Sequence, residues 1–382
     1  MTRAISLLGS TGSIGRQTLE VCQELGLRVE ALTAHHNIDL LEQQARQFRP
    51  RLAVLYDMEA AVELARRLQG LPIRVAYGLE GLVEAAALPE SDTVLTAVVG
   101  MVGLQPTLAA IRAGKRIALA NKETLVCAGE LVMGEARRCG AEIIPVDSEH
   151  SAIFQSLQGC RDRGELKKLL LTCSGGPFYG MGREEVYHKA PADALRHPNW
   201  SMGAKITVDC ASLMNKGLEF LEAMALFRVD PDQIQVLIHR QSIVHSAVEF
   251  RDGAVIAQLG TPDMRLPIRY ALTYPARGAS ALPPLDLTAC PPLTFAHPDL
   301  EAFPCLAMAM ACARRGGTSG AVLNGANEAA VAHFLRGEIP FGRIGDLVAA
   351  ALDRVAVVDD PGLEDILAAD RLARWSVEEA LA

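Results

Sequence analysis

Several hallmarks of other protein classes are missing from this 382-residue sequence. Its nine cysteines include no Cys-x-x-Cys pair, so neither a zinc site nor a disulfide framework is indicated. The longest nearly apolar run, residues 94–104, falls short of the roughly 18 residues that a membrane span needs. Positive charge is not in excess either. The net charge of −8 argues against nucleic acid or an anionic membrane as a partner.

What is present is an ordinary globular composition. Half of the residues are apolar and 21% are charged, and the length suggests two or three domains. We find no internal repeat and no low-complexity tract. Residues 1–8 carry one arginine and run directly into glycine, which leaves no room for a signal or transit peptide. A cytoplasmic location is therefore expected.

The first part of the chain alternates between two periodicities. Short apolar runs are followed by stretches with helical spacing, a pattern typical of a parallel, doubly wound, Rossmann-like sheet. The predicted strands are residues 4–8, 29–33, 52–55, 93–99, 116–120 and 142–145, and predicted helices include 16–25, 58–68 and 104–113. The sequence predicts an α/β domain over residues 1–148.

The pattern changes after about residue 150. Strands at 169–173, 235–239, 243–250 and 254–259 are predicted to form one partly antiparallel sheet, with Asp252-Gly253 as a hairpin turn. They predict a central α+β domain over 149–274. Seven of the 20 prolines fall between Pro275 and Pro304, which favours an extended linker over 275–300. Residues 301–382 predict a C-terminal helical domain.

A glycine turn marks the candidate cofactor site. Residues 9–15 read GSTGSIG between a strand and a helix, which lets backbone N–H groups approach a pyrophosphate. The second strand ends in His35-His36-Asn37 without a carboxylate, and Glu30 falls in mid-strand. A carboxylate would repel a 2′-phosphate whereas His and Asn can donate to one, so NADP is favoured over NAD. Residues 1–148 are thus predicted to be the NADP-binding domain. The alternative interpretation of the glycine turn is a simple strand-to-helix connection, and that of His35 and His36 is a solvated loop.

Carboxylates mark a candidate metal site. Asp147 and Glu149 follow a predicted strand, and two residues apart in extended chain their side chains would point the same way. Glu219 shares a helix face with Asn215 at i and i+4. Three oxygen ligands suit Mg²⁺ or Mn²⁺ rather than Zn²⁺. The alternative interpretation of an Asp-x-Glu sequence is surface charge.

Polar residues elsewhere offer donors for a phosphate. Ser174 leaves a strand before two glycines, and with Asn215 and Lys216 it would give a pocket of one cation and neutral donors. Residues 197–203 contain Trp200 and are interpreted as a lid, the alternative being a loop anchored by Trp200. His239 and His245 lie in strand patterns and are expected to be core or rim residues.

Together these motifs resemble the 1-deoxy-D-xylulose 5-phosphate reductoisomerase family, over the whole chain. The motifs that carry the resemblance occur in the family's order: GSTGSIG at 9–15, ANKE at 120–123, PVDSEH at 145–150, SGGPF at 174–178, HPNW at 197–200, MNKGLE at 214–219 and LNGANE at 323–328. The resemblance implies rearrangement and NADPH-dependent reduction of 1-deoxy-D-xylulose 5-phosphate to 2-C-methyl-D-erythritol 4-phosphate. It also implies Mg²⁺ or Mn²⁺, with Co²⁺ as a further alternative, a homodimer, and inhibition by fosmidomycin-type compounds.

The resemblance further implies that 149–274 is a catalytic and connective domain with a mobile loop at about 186–204. Residue roles follow from the same resemblance. The implied metal ligands are Asp147, Glu149 and Glu219, and the implied catalytic residues are Lys122, Glu149 and His197. The implied cofactor residues are Thr11, Gly12, Ser13, Ile14, His35, His36, Asn37, Asn121, Glu123 and Gly203. The implied substrate residues are Lys122, Ser148, Glu149, Ser174, His197, Trp200, Met202, Cys210, Asn215, Lys216 and Glu219.

The sequence departs from the family pattern at two places. Cys210 stands where the family usually has a serine that touches the phosphate, and a thiol donates more weakly than a hydroxyl. His35-His36 stands where many members carry Gly-Lys, so a positive charge near the 2′-phosphate is lost.

Two other functions are compatible with the residues alone. A semialdehyde dehydrogenase would also open with a glycine turn, but it would need Cys127 or Cys173 as a nucleophile. A catalytically silent NADP-sensing or scaffold protein would bind the cofactor and show no metal-dependent turnover.

Overall fold

The computed structural model describes residues 2–196 and 202–382, which fall into two compact units. The first unit comprises the chain up to Thr124 together with Val132–Ser151 and Asp263–Leu282. The second unit comprises Leu125–Leu131, Ala152–Pro262 and Pro283–Ala382. The domain boundaries that we placed at residues 148, 274 and 300 stay predictions.

The helices and strands of the described residues alternate along the first 150 positions. The strands are β1 Ala4–Leu8, β2 Arg28–Ala34, β3 Leu52–Leu55, β4 Arg74–Tyr77, β5 Thr93–Thr96, β6 Arg116–Leu119, β7 Ile143–Pro145, β8 Leu166–Cys173, β9 Ile234–Ile238, β10 Val244–Phe250 and β11 Val255–Leu259. The helices are α1 Ser13–Leu25, α2 Ile38–Phe48, α3 Met58–Arg67, α4 Gly78–Ala87, α5 Leu104–Arg112, α6 Glu123–Cys139, α7 Ser148–Ser156, α8 Arg183–Tyr187, α9 Pro191–Ala194, α10 Ala204–Ala211, α11 Met214–Phe227, α12 Arg265–Thr273, α13 Pro304–Arg315, α14 Ser319–Leu335, α15 Phe341–Arg354 and α16 Leu363–Leu381.

The first unit is built on a parallel sheet, as predicted. Within the described residues its seven strands run in the order β4-β3-β2-β1-β5-β6-β7, and every neighbouring pair is parallel. Strands β1, β3 and β5 are buried along their whole length, since helices cover both faces of such a sheet. The strand order reverses between β1 and β5, which is where open α/β sheets bind ligands.

Two features of this unit are not evident in the sequence. Strand β4 is a four-residue edge strand whose end residues Arg74 and Tyr77 are exposed, so it has no apolar run to reveal it. Helix α12, from residues that the sequence analysis assigned to the central domain, packs against α1 of the first unit. There Arg269 binds Glu24, and Arg265 lies 3.3 Å from Glu20.

The second unit contains the four strands predicted after residue 150. In the described residues they form a sheet in the order β11-β10-β8-β9, in which β8 and β9 are parallel and the other pairs antiparallel. The predicted hairpin turn joins β10 to β11. Gly253 there has a φ of +88°, and the Ala254 amide donates to Asp252 at 2.9 Å.

Helices complete the second unit. α14 packs against α15 and α16, and α11 packs against α13, with Phe220 and Phe334 fully buried. Between α12 and α13, where the sequence is rich in proline, the only regular feature among these described residues is a single bridge from Ala296 to Ile238. Within the described parts of the chain, no helix has the length and apolar character required to cross a bilayer.

Candidate active site

Glycine is required at two positions of the turn that follows β1. Gly9 has a φ of +88°, and a Cβ atom there would lie 2.6 Å from the Ala97 carbonyl oxygen. A Cβ atom on Gly15 would lie 2.2 Å from the Gly9 carbonyl oxygen. The turn is tied to β2, since the Gly9 amide donates to the Thr33 hydroxyl at 2.9 Å. The chain therefore turns tightly enough for α1 to begin immediately beyond the sheet.

Helix α1 begins without a side-chain cap. Gly12 is its N-cap residue and makes no side-chain hydrogen bond to the first turn. The first N–H groups of any helix lack partners within that helix and favour an anion. The predicted cofactor residues Thr11, Gly12, Ser13 and Ile14 lie at this helix start, a position suited to a pyrophosphate.

The end of β2 carries the two histidines. His35 and His36 are exposed, and their Nδ1 atoms lie 2.8 Å apart. The His35 ring stacks on Tyr56, with centroids 5.6 Å apart. The Asn37 side chain accepts a hydrogen bond from the Leu40 amide and so caps α2, while its amide group keeps two donors of its own.

Glu30 does not lie at this end of the strand. It is the third residue of β2, it is buried, and its carboxylate lies 3.2 Å from both Arg28 and Arg51. These contacts hold the Glu30 carboxylate away from the tip of β2, in keeping with the placement that favoured NADP.

The loop after β6 brings polar groups to the same edge of the sheet. Asn121 Nδ2 donates to the carbonyl oxygens of Val98 and Gly100 at 3.0 and 3.1 Å, and to Glu123 at 2.8 Å. These bonds fix the segment that follows β5 against the start of α6. The predicted cofactor residues Asn121 and Glu123 are thus held next to each other.

Asp147 and Glu149 follow β7, but not in extended chain. Helix α7 begins at Ser148, so the expectation of an extended 147–149 segment is wrong. Asp147 Oδ1 accepts from the amides of Glu149 and His150 at 3.1 and 3.4 Å, which stabilises the first turn of α7. Lys122 Nζ donates to Asp147 Oδ2 at 2.7 Å. The predicted site residues Lys122, Asp147 and Glu149 therefore lie together at the carboxyl ends of β6 and β7.

His150 is a member of this cluster that the sequence analysis missed. Its side chain is fully buried, and its Nδ1 atom lies 3.1 Å from Asp147 Oδ1. A signal was available, because a histidine three residues after an N-cap aspartate falls on the same side of the first helical turn.

In the second unit, α11 carries a buried polar cluster. Asn215 Nδ2 donates to Glu219 Oε1 at 2.6 Å, and Lys216 forms an ion pair with the other carboxylate oxygen. Glu219 is 1% exposed. The predicted i, i+4 pairing of Asn215 with Glu219 is present, and a carboxylate at this depth needs such partners.

Ser174 and Cys210 belong to neighbouring segments of the same unit. Ser174 follows β8 and is buried, and its hydroxyl accepts from the Gly176 amide at 3.2 Å. A Cβ atom on Gly176 would lie 2.6 Å from the Cys210 carbonyl oxygen, so the end of α10 lies directly against this glycine. Asp209, which the sequence analysis passed over, lies 3.0 Å from Lys205 and accepts from Asn327 at 2.8 Å.

His245 lies on β10 and is buried, in agreement with its expected place in the core. Burial lowers the pKa of His245 below its ordinary value, and the charge of Lys216 acts in the same direction. Burial therefore favours the neutral form of this imidazole.

The predicted lid falls largely outside the described residues. His197 and Trp200 are outside the described residues. Met202 is described, and Gly203 is the N-cap of α10. Their predicted roles stay predictions.

Comparison with known proteins decides the family. Three family profiles match the chain: 1-deoxy-D-xylulose 5-phosphate reductoisomerase over residues 5–129, the C-terminal domain of the same name over 143–227, and the DXP reductoisomerase C-terminal domain over 259–376. The reductoisomerase of Ruminiclostridium cellulolyticum is 52% identical over 381 residues, covering 100% of both chains. That of Heliobacterium modesticaldum is 57% identical, covering 98% of this chain and 96% of its own. The chain belongs to the 1-deoxy-D-xylulose 5-phosphate reductoisomerase family.

Solved reductoisomerases have the same fold. A DOX-P reductoisomerase in complex with NADPH, fosmidomycin and magnesium is 42% identical, with a TM-score of 0.95 over 99% of this chain and 98% of that one. The Zymomonas mobilis reductoisomerase in complex with NADPH is 40% identical, with a TM-score of 0.92 over 99% of this chain and 98% of that one. Because the match to reductoisomerases extends over the full length, the semialdehyde dehydrogenase alternative loses its basis.

Proposed function

We propose that this chain rearranges 1-deoxy-D-xylulose 5-phosphate and reduces the product to 2-C-methyl-D-erythritol 4-phosphate, with NADPH as reductant and a divalent metal. The observation that carries the proposal is the full-length match to the reductoisomerase family at 52–57% identity. NADPH and the metal are inferred from the same family membership, since related structures contain NADPH and magnesium.

NADPH fits the residues of the first unit. The uncapped start of α1 next to Gly9 offers backbone N–H groups to the pyrophosphate. We assign the 2′-phosphate to His35, His36 and Asn37, whose ring and amide nitrogens can donate to it. Asn121 and Glu123 of this unit, and Gly203 of the second unit, are proposed to lie along the rest of the cofactor.

A hard divalent cation fits the carboxylates. We propose Asp147, Glu149 and Glu219 as its ligands, with Mg²⁺ or Mn²⁺ preferred and Co²⁺ as an alternative. In the described residues both Asp147 and Glu219 have low exposure and an ion-pair partner, Lys122 for Asp147 and Lys216 for Glu219. This setting suits the assignment, because a carboxylate withdrawn from water needs a cationic partner, either a side chain or a metal ion.

The substrate phosphate is assigned to the second unit. Ser174, Asn215 and Lys216 offer a hydroxyl, an amide and an ammonium group, and the Cys210 thiol adds a weaker donor. Lys122, Ser148 and the catalytic candidate His197 are proposed to hold the substrate. Trp200 and Met202 are proposed to belong to the loop that closes over it, so that binding of the remote phosphate helps to exclude water.

When bound, the metal supplies Lewis-acid stabilisation of charge on the substrate's ketone and hydroxyl oxygens, and NADPH supplies the hydride. The chain's own task is to hold these groups together. The Asn121 network keeps the segments after β5 and β6 in place, and Asp147 fixes the start of α7. Lys122 Nζ, 2.7 Å from Asp147, offers N–H donors to an oxygen that carries negative charge.

Fosmidomycin-type compounds are proposed as inhibitors, because a hydroxamate binds a hard metal ion and a phosphonate occupies a phosphate site. We further propose that the chain forms a homodimer through β11. This strand is an edge of its sheet, and Val255 and Ile256 are 54% and 47% exposed. An apolar strand edge of this kind favours pairing with another chain. The cytoplasmic location stays a prediction.

The reaction itself is the test. Purified protein is mixed with NADPH, Mg²⁺ or Mn²⁺ and 1-deoxy-D-xylulose 5-phosphate, and nicotinamide absorbance is followed with and without a chelator. We expect NADPH oxidation that stops with chelator and resumes with added metal. NADPH binding without any metal-dependent oxidation would point instead to the NADP-sensing alternative.

A further inference from the structure

Arg240 occupies the turn between β9 and β10, where the sequence analysis assigned no function. Its Nη1 atom donates to the carbonyl oxygen of Ser174 at 2.6 Å and to that of Gly176 at 2.7 Å. Its guanidinium lies 5.1 Å from the centroid of the Tyr179 ring. One nitrogen thus connects the β9–β10 turn to the loop that follows β8.

The turn that carries Arg240 is itself held in place. His239 Nε2 accepts from the amides of Ile243 and Val244 at 3.2 and 3.1 Å. Its Nδ1 atom donates to the Thr294 carbonyl at 2.9 Å. Because both ring nitrogens of His239 are hydrogen-bonded to backbone groups, the turn is held in place. Arg240 therefore approaches residues 174–176, the Ser174 loop, from a fixed direction.

The Ser174 loop depends on such a donor. Gly175 and Gly176 have φ values of +77° and +69°, a backbone conformation that residues other than glycine rarely adopt. The carbonyl groups of Ser174 and Gly176 both lie within hydrogen-bonding distance of Nη1 and therefore close to each other. A permanently protonated guanidinium offsets the repulsion between two such oxygens.

We propose that Arg240 is a positioning residue for the substrate's phosphate group. By binding the two carbonyl oxygens it keeps the Ser174 loop in the conformation that presents donors to an anion, and it places a charged guanidinium nitrogen 2.6 Å from the Ser174 carbonyl oxygen. The inference rests on the proposed function, since it takes the loop at Ser174 as the phosphate site. It predicts an effect on substrate binding rather than on cofactor binding.

The test uses Arg240→Gln and Arg240→Lys in the full chain. Arg251→Gln is the matched control, because Arg251 is an exposed cation in the β10–β11 turn of the same sheet. Glutamine keeps an amide donor but loses the positive charge, whereas lysine keeps the charge but lacks the planar guanidinium group with its several N–H donors. Steady-state kinetics with 1-deoxy-D-xylulose 5-phosphate and NADPH are measured for each variant, with the unfolding temperature as a check of the fold.

We expect Arg240→Gln to raise KM for the substrate about tenfold and Arg240→Lys about threefold, because a hydrogen bond to a charged group contributes on this scale. kcat at saturating substrate and KM for NADPH stay close to wild type, as do all constants of Arg251→Gln. Wild-type KM in either Arg240 variant, or a loss of kcat at unchanged KM, overturns the proposal. Failure of the proposed function is distinct, since the wild-type protein would then show no metal-dependent turnover.

Discussion

Individual carboxylates and histidines differ in how far their surroundings fix their roles. Asp147 and Glu219 each have a lysine partner at low exposure, and each is joined to its neighbours by further hydrogen bonds. His35 and His36 are exposed at the end of β2, where their Nδ1 atoms lie 2.8 Å apart and the His35 ring stacks on Tyr56. Substitutions at the two places should therefore act on different ligands.

Removing a proposed metal ligand should stop turnover and spare the cofactor. Asp147→Asn and Glu219→Gln keep the side-chain shape but remove the negative charge, so we expect kcat to fall by at least about 100-fold, as loss of a metal ligand requires. NADPH binding, measured by calorimetry without metal, should stay near wild type. Retained turnover in either variant would remove that residue from the ligand set.

Restoring a fixed charge at the end of β2 should tighten NADPH binding. In His36→Lys the ammonium can pair with the 2′-phosphate, and an exposed pair contributes up to about 1 kcal/mol, or about fivefold in Kd. NADH, which lacks that phosphate, serves as the control ligand and should bind as before. Equal changes for NADPH and NADH, measured by fluorescence titration, would show that these histidines do not contact the 2′-phosphate.

Elements of the fold differ in how well the sequence predicts them. Strands β1 and β3 coincide with the predicted runs because buried parallel strands are continuous apolar stretches. Strand β4 carries no such pattern, and the packing of α12 against α1 depends on contacts between residues about 245 positions apart, such as Arg269 with Glu24. Long-range pairing of this kind leaves no local signal in the chain.

The glycine turn offers a test at the same scale. A Cβ atom on Gly15 would lie 2.2 Å from the Gly9 carbonyl oxygen, whereas one on Gly12 would lie at an ordinary 3.5 Å. We therefore expect Gly15→Ala to lower the free energy of unfolding by at least about 2 kcal/mol and to abolish NADPH binding. Gly12→Ala, the matched control, should keep the stability and weaken only NADPH binding. Urea unfolding and calorimetry measure the two effects, and equal stabilities would contradict this account of the turn.

The site also shows where sequence reasoning stops. The motifs led to Asp147, Glu149 and Glu219 as candidates, and the helix spacing correctly paired Asn215 with Glu219. Arg240 was missed because its partners are backbone carbonyl groups of another segment, a contact that depends on tertiary structure. His150 was missed for a local reason, because residues 147–149 were interpreted as extended chain and not as the start of a helix.

At the scale of the whole molecule, the apolar edge of β11 predicts the state of assembly. Val255→Lys with Ile256→Lys should convert a dimer to a monomer, since two charges on an exposed edge prevent strand pairing. Val62→Lys, at a residue 67% exposed in the first unit, is the control and should leave the dimer intact. Sedimentation velocity distinguishes the states. A wild-type monomer, or a dimer unaffected by the β11 changes, would contradict the proposed interface.

Three carboxylates are proposed to bind one hard cation beside NADPH. Crystals grown with Mn²⁺, NADPH and a fosmidomycin-type inhibitor would locate the metal by anomalous scattering. We expect a single strong manganese peak with Asp147, Glu149 and Glu219 as its protein ligands. Manganese bound elsewhere, or bound without any one of these three side chains, would contradict it.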